Sequence, residues 1–168
     1  TISASSSGGA SSLDDLSDVS AENSSFYIGS VPTNNSGSKN TVIGNDAFSA
    51  ATSAEQNTSV GNQSMSSNTE GARNSAFGSE SLTDNTTGDL NTAIGHQALK
   101  SNTTADQNTG VGNQALSTNT TGSYNTAVGS QSLKTNSTGS YNTASGRESL
   151  YSNTTGSSNT ASGSLALY

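Results

Sequence analysis

Side chains able to carry out acid–base or nucleophilic chemistry are few in this chain. Its 168 residues include one histidine, His96, and no cysteine, so a Ser-His-Asp arrangement would depend on a single imidazole. Three carboxylates, Glu80, Asp84 and Asp89, lie close together in the sequence, but their surroundings favour solvated charges that discourage aggregation at a sheet edge. We therefore predict no catalytic residue and no enzymatic activity.

Residues and motifs that could bind a metal ion or a cofactor are equally few. Asp89 and Asp106 could both supply oxygen ligands to Ca²⁺, but the Gly-Gly-x-Gly-x-Asp signature of calcium rolls is absent. No Gly-Lys-Ser/Thr segment forms a phosphate loop. We predict no cofactor and no metal site.

Tyrosine is the one residue type whose spacing points to a ligand. The interval from Tyr124 to Tyr141 is the same as that from Tyr151 to Tyr168. Exposed aromatic rings in such a column suit sugar rings, which stack on π faces; the alternative is that the tyrosines only cover the edge of the fold. The four residues are our candidate glycan contacts.

The same interval, a 17-residue period, organises most of the chain. An Asn-Thr pair, once Asn-Ser, recurs without insertion, and we number each repeat from its Asn as position 1. A clean copy runs Asn-Thr-Ala-Ile-Gly-His-Gln-Ala-Leu from Asn91 to Leu99. The first residues of the repeats are Asn40, Asn57, Asn74, Asn91, Asn108, Asn125, Asn142 and Asn159.

Two columns of the repeat are apolar, and one is invariably glycine. Gly at position 5 predicts a sharp bend with positive φ or close approach of backbones. We predict that positions 4 and 9 both point inward and form the core. Position 4 comprises Ile43, Val60, Phe77, Ile94, Val111 and Val128, followed by Ser145 and Ser162. Position 9 comprises Phe48, Met65, Leu82, Leu99, Leu116, Leu133, Leu150 and Leu167.

Composition rules out a conventional core. Leu, Ile, Val and Phe total 23 residues, below the roughly 20% of the chain that ordinary globular domains require. The abundant Asn, Thr, Ser and Gly are poor helix formers and common in turns. The period therefore predicts an all-β parallel β-solenoid, a β-roll or β-helix of 17-residue coils, with Asn at positions 1 and 12 stacked in amide ladders.

So thin a rod needs partners. Two inward aliphatic residues per coil oppose the conformational entropy lost in ordering the whole coil, so burial of a second face against other copies would help. Small residues at positions 3 and 8 (Ala93, Ala98, Ala127 and Ser132) would let backbones approach closely. We predict a parallel homotrimer; the alternative is three chains interwoven around one axis.

Charge and hydropathy limit the other partners. The net charge of −7, with only five Lys and Arg residues, argues against nucleic-acid binding. No apolar run approaches the ~20 residues of a membrane span, so no membrane insertion is expected. We assign residues 1–23 to a linker or attachment segment, 24–39 to a degenerate first repeat, and 40–168 to seven full repeats and a partial eighth. The absence of an initial Met leads us to expect a chain cut from a longer one.

The repeat resembles those of bacteriophage tail-fibre proteins, particularly from marine and cyanobacterial phages. It is also similar to the Asn-Ser-x-Ala-Ile-Gly repeats in the heads of trimeric autotransporter adhesins. The resemblance covers Asn40 to Tyr168 and implies a trimeric left-handed parallel β-roll, displayed outside a virion and used for attachment to a host-surface glycan or receptor. It implies that other tail or virion proteins hold the N-terminal segment.

Two alternative functions remain open. One is a bacterial surface adhesin head, located on the cell surface. The other is an ice-binding β-solenoid, because Thr recurs at positions 2, 13 and 14 and could form a flat regular array. In a phage or bacterial protein, the Asn-x-Ser/Thr triplets at position 12 are interpreted as turn chemistry; they begin at Asn85, Asn102, Asn119, Asn136 and Asn153.

Overall fold

The structure is a computed structural model that describes residues 19–22, 24–29, 32 and 35–168. Within these residues the only regular secondary structure is a ten-stranded sheet whose strands are adjacent in chain order. The strands are β1 (Val19–Glu22), β2 (Ser25–Gly29), β3 (Thr41–Gly44), β4 (Thr58–Val60), β5 (Ser75–Phe77), β6 (Thr92–Ile94), β7 (Thr109–Val111), β8 (Thr126–Val128), β9 (Thr143–Ser145) and β10 (Thr160–Ser162).

From β2 onward, every strand pairs in parallel with the next. From β3 to β10, each residue lies opposite its equivalent in the following repeat, as Thr92 lies opposite Thr109. The chain is thus a parallel β-solenoid of about eight turns, which confirms the predicted fold class. Because successive coils of the same chain bond to each other directly, this pairing does not correspond to the interwoven alternative.

The first coil is shorter and is covered by an antiparallel strand. Gly29 of β2 lies opposite Gly44 of β3, a separation smaller than the full repeat. The strand β1 pairs antiparallel with β2, although Val19–Glu22 falls in the segment that we predicted to be linker. An unpaired β2 would expose a row of backbone donors and acceptors, and β1 satisfies one side of that edge. Residues 1–18 and 23 of the predicted linker lie outside the described residues.

The inward residue of each strand is not the one that we predicted. In the three-residue strands, position 3 is the middle residue and is buried, as at Ala93, whereas its flanking neighbours point outward. Because side chains alternate across a strand, position 4 must face solvent if position 3 faces the core. Phe77 and Ile94 are both 42% exposed. The prediction that position 4 lines the core is therefore wrong for the whole column: Ile43, Val60, Phe77, Ile94, Val111 and Val128 lie on the outer face.

Position 9 supplies the large side chains of the interior, except that Leu167 in the last coil is 65% exposed, so the prediction that it points inward is wrong. Leu82, Leu99, Leu116 and Leu133 are fully buried, as are Phe48 and Met65 in the earlier coils. They pack with the small residues of positions 3 and 8, which face the interior of the coil. Ala93, Ala98, Ala127 and Ser132 are completely inaccessible, so they cannot mediate the approach of neighbouring chains that we predicted. Their small size instead leaves room for one leucine per coil.

Two asparagine columns tie the coils together. At position 12 the side-chain amides bond to one another, with Asn85 Nδ2 donating to Asn68 Oδ1 at 2.6 Å and Asn136 Nδ2 to Asn119 Oδ1 at 2.8 Å. This matches the predicted amide ladder. At position 1, Asn91 Oδ1 accepts from the backbone N–H of Asn108 at 2.9 Å. Side-chain amides also bond to one another in parts of this column, as from Asn142 Nδ2 to Asn125 Oδ1 at 3.1 Å. The buried asparagine side chains thereby provide hydrogen-bond partners for one another and for buried backbone N–H groups.

The corners of each coil use unusual backbone conformations. Non-glycine residues at positions 7, 9 and 17 have φ between 50° and 62° throughout, a left-handed region that costs most residues roughly 1–2 kcal/mol. At position 5 only glycine fits: Gly112 has φ 131°, and a Cβ there would lie 2.6 Å from the carbonyl carbon of Gly129 in the next coil. The regular hydrogen bonds between coils hold these conformations in place.

Candidate binding surfaces

The outward side of strands β3 to β10, formed by positions 2 and 4, is a surface that we call the sheet face. Every residue in these two columns is Thr, Ser, Ile, Val or Phe, so the sheet face carries no charge in any of its eight strands. Ile28 extends the apolar column by one strand, because it pairs with Ile43. Contiguous exposed apolar surface of this kind is typical of interaction sites.

The threonines at positions 2 and 13 differ in how their hydroxyl groups are used. Position 13 hydroxyls are used inside the ladder, since Thr86 Oγ1 and Thr103 Oγ1 each donate to the backbone carbonyl of the next coil at 3.1 Å. At position 2, the threonine hydroxyls make no hydrogen bond with any residue that the structure describes, and they are available to an external partner. They lie beside the apolar column on the sheet face: Thr41, Thr58, Thr92, Thr109, Thr126, Thr143 and Thr160.

The structure places the four candidate tyrosines in two separate pairs. Tyr124 and Tyr141, at position 17, are stacked with ring centroids 4.9 Å apart and planes 4° from parallel. Tyr151 and Tyr168, at position 10, are stacked at 5.1 Å with a 20° angle between planes. Each pair therefore hides one face of each ring, and the faces left for a ligand are the outer ones.

The surroundings of those outer faces differ. In the Tyr151–Tyr168 pair, Lys134 Nζ lies over the ring of Tyr151, 5.7 Å from its centroid. Tyr124 accepts a hydrogen bond from Gln107 Nε2 at 3.0 Å through its hydroxyl. Tyr141, in contrast, is followed in its column by the much smaller Ser158, and is 61% exposed.

Two of the three clustered carboxylates, Glu80 and Asp89, are engaged in ion pairs. Glu80 bonds to the ammonium of Lys100 and accepts from Gln97 Nε2, and these two hydrogen bonds, that from Lys100 foremost, hold the pKa of Glu80 below its ordinary value. Asp89 pairs with Arg73 at 3.2 Å. Both ion pairs tie successive coils together, as do the glutamine amides that continue the Glu80 column.

Asp89 and Asp106 accept hydrogen bonds from the backbone of the preceding coil. Asp89 Oδ1 accepts from the backbone N–H of Ala72, and Asp106 Oδ1 from that of Asp89, both at 2.7 Å. Within the described part of the chain, no group of three His, Cys, Asp or Glu residues is arranged to hold a metal ion. His96 is exposed, with its Nδ1 3.3 Å from the side-chain amide of Asn113.

The sheet face is the feature that the sequence interpretation missed. Its signal was present in the triplet Thr-Ala-Ile, in which a small residue lies between two larger ones, because a narrow solenoid can accept only the small residue inside. No helix long and apolar enough to span a membrane occurs among the described residues. No family model, curated protein or solved structure matches this chain.

Proposed function

We propose that this chain is the rod segment of an extracellular attachment fibre, in which several copies associate side by side through their sheet faces. The observation that carries the proposal is the charge-free apolar column, which runs unbroken from Ile43 to Val128 along a regular, uninterrupted solenoid. A thin rod with an apolar stripe along its length is suited to extension and bundling.

A second copy of the same chain is the partner that fits this surface. Neighbouring strands are about 4.8 Å apart, so only a partner with the same rise can match every rung of the column. A parallel copy does so automatically, and three copies around a common axis form a closed assembly with no sheet face left exposed. The proposed assembly is a parallel homotrimer that encloses the position 4 side chains.

The resemblance of the repeat favours a phage tail fibre over a bacterial adhesin head. In the tail-fibre assignment, the N-terminal segment joins other tail or virion proteins, and the rod extends towards a glycan or receptor on the host surface. The two assignments predict different neighbours in the full coding sequence: a virion-binding or chaperone domain for a fibre, and a membrane anchor for an adhesin.

The assembly is tested by measuring molar mass with light scattering across a range of concentrations. We expect a trimer for the native chain and a monomer for the triple variant Phe77→Ser, Ile94→Ser, Val111→Ser. Ser145 and Ser162 occupy the same column, so serine is compatible with the coil. The matched control replaces three exposed threonines at position 14 with serine (Thr87, Thr104 and Thr121) and should remain trimeric. A folded native chain that stays monomeric at all concentrations would refute the proposal.

Attachment is tested by binding fluorescently labelled protein to a panel of bacterial cells. We expect binding to a restricted set of strains, with loss after the surface polysaccharide has been oxidised by periodate. Binding that survives oxidation and disappears after protease treatment would indicate a protein receptor in place of a glycan.

Ice binding is a second candidate, favoured by the unbonded threonine hydroxyls at position 2. They form a column along the sheet, next to an aliphatic column. Thermal hysteresis in a purified monomeric sample would support this function and contradict the fibre. Its absence in a sample that forms trimers supports the fibre.

A further inference from the structure

The most specific ligand site that the rod offers is the uncovered face of Tyr141. Its other face is stacked on Tyr124, and the two planes are within 4° of parallel. The next residue in the column is Ser158, whose side chain is too short to reach across the ring. A flat aromatic surface is thus present at a defined place on the rod, with one side stacked on Tyr124 and the other open.

The backbone holds this column in strict register. Tyr124 and Tyr141 both have φ 61°, and so does Ser158. The backbone N–H of Tyr141 donates to Ser123 O at 3.1 Å, and that of Ser158 donates to Ser140 O at 3.0 Å. Three consecutive coils therefore present the same backbone geometry. The third place in the aromatic column, where a tyrosine at position 158 would put its ring, is empty because Ser158 has a short side chain.

The dimensions and chemistry of this place fit a pyranose ring. Tyr124 stacks on Tyr141 at 4.9 Å, close to the spacing between coils of about 4.8 Å, so a flat ring of similar thickness in the third place would be at stacking distance. The negative π face attracts the positively polarised C–H groups of a sugar. Ser157 and Ser158 lie below, and both are exposed.

The column that carries Tyr141 and the one beside it are uncharged near this residue, which favours a neutral sugar. Around Tyr141, positions 16 and 17 of the last coils contain only Ser and Tyr, including Ser140 and Ser157. Ser157 Oγ accepts from the backbone N–H of Ser140 at 3.0 Å, which leaves its own proton free to donate. The other tyrosine pair differs because a lysine ammonium lies over it. We infer that the open face of Tyr141, with the hydroxyls of Ser157 and Ser158, binds a neutral hexopyranose unit of a polysaccharide.

This site rests on the proposed attachment function and names its ligand class. The test is saturation-transfer NMR with four methyl hexopyranosides as probes (gluco, galacto, manno and N-acetylglucosamine), read from the tyrosine ring protons to the sugar C–H protons. The decisive variant is Ser158→Leu, which places an aliphatic side chain over the face. Leu90 occupies the same column with φ 60°, so the coil accommodates leucine there.

The matched control is Gln107→Leu, at the opposite end of the same aromatic column. We expect transfer from Tyr141 for at least one probe in the native chain, no change in Gln107→Leu, and affinity about tenfold weaker or lost in Ser158→Leu and Tyr141→Ala. Absence of transfer from every probe, or transfer that persists in Ser158→Leu, overturns the site.

The two proposals fail in different ways. A native protein that trimerises and binds cells, but shows no transfer from Tyr141, removes the sugar site and leaves the fibre. A chain that shows the transfer and remains monomeric, without binding to any cell, keeps a sugar site and removes the fibre.

Discussion

Truncating Ile94 and Leu99 in turn separates the outer face of the solenoid from its core. The two residues lie in the same coil, yet Leu99 is fully buried and Ile94 is 42% exposed. Leu99→Ala removes about three buried carbons and leaves a cavity in a closely packed interior, for which about 3 kcal/mol of unfolding free energy is expected. Ile94→Ala should cost about 1 kcal/mol, because its side chain is already partly in water.

The assay is thermal unfolding followed by circular dichroism, at a concentration where light scattering shows a monomer. For a chain of this length the two costs correspond to decreases in Tm of about 6–12 °C and 2–4 °C. The measurement is then repeated in concentrated samples. If the sheet face is an interface, the cost of Ile94→Ala should grow with concentration, because assembly stabilises only the folded chain. The cost of Leu99→Ala should stay nearly constant.

Leu167→Ala is the internal control. It belongs to the same column as Leu99 and has the same φ of 51°, but it is 65% exposed, so its truncation should have little effect. If Ile94→Ala and Leu99→Ala cost the same in monomeric protein, the fourth column is not on the surface and our account of the fold is wrong.

Three further perturbations test the backbone and the electrostatics. Gly112→Ala places a Cβ against the Gly129 backbone at φ 131°, so we expect a loss of several kcal/mol or local unfolding; Gly110→Ala, at a position where other coils have Ala, should stay within about 1 kcal/mol. The free energy of unfolding, measured by urea denaturation, should rise by about 1 kcal/mol in Leu90→Gly, because an exposed leucine at φ 60° gives way to the residue best suited to that conformation; no change or a decrease would contradict the strain. The pKa of Glu80 is lowered by Lys100, so its contribution to stability is present above the ordinary value and is lost as pH falls through the lowered one. The decrease in Tm between pH 6 and pH 3 should therefore be smaller in Glu80→Gln than in the native chain, and an equal decrease would contradict it.

The repeat itself was readable from the sequence. A 17-residue period without insertion, the glycine at position 5 and the polar turn formers allowed only stacked extended coils, and the amide ladder at position 12 followed from identical residues lying above one another. The inward orientation of position 9 from Phe48 to Leu150 was equally plain, since an apolar column in so polar a chain had to be buried. Local chemistry and periodicity were sufficient for these features.

The orientation of position 4 needed the tertiary structure. In sequence, Ile94 and Leu99 are both large aliphatic residues, and the small middle residue of Thr-Ala-Ile indicates an outward Ile94 only once the narrow width of the interior is known. Only the path of the backbone shows that the middle residue of each short strand is the one inside, and that one leucine fills the space that remains. The limited width of the interior therefore places Ile94 outside, on the surface that we propose as the interface.

The tyrosines show the same division. Their 17-residue spacing predicted that they would lie in columns, and they do. It could not show that stacking covers the inner ring faces, that Lys134 lies over one pair, or that Ser158 leaves Tyr141 open. The 17-residue period shows which residues lie above one another in successive coils. It does not show the direction in which each side chain points, and these outcomes depend on that direction.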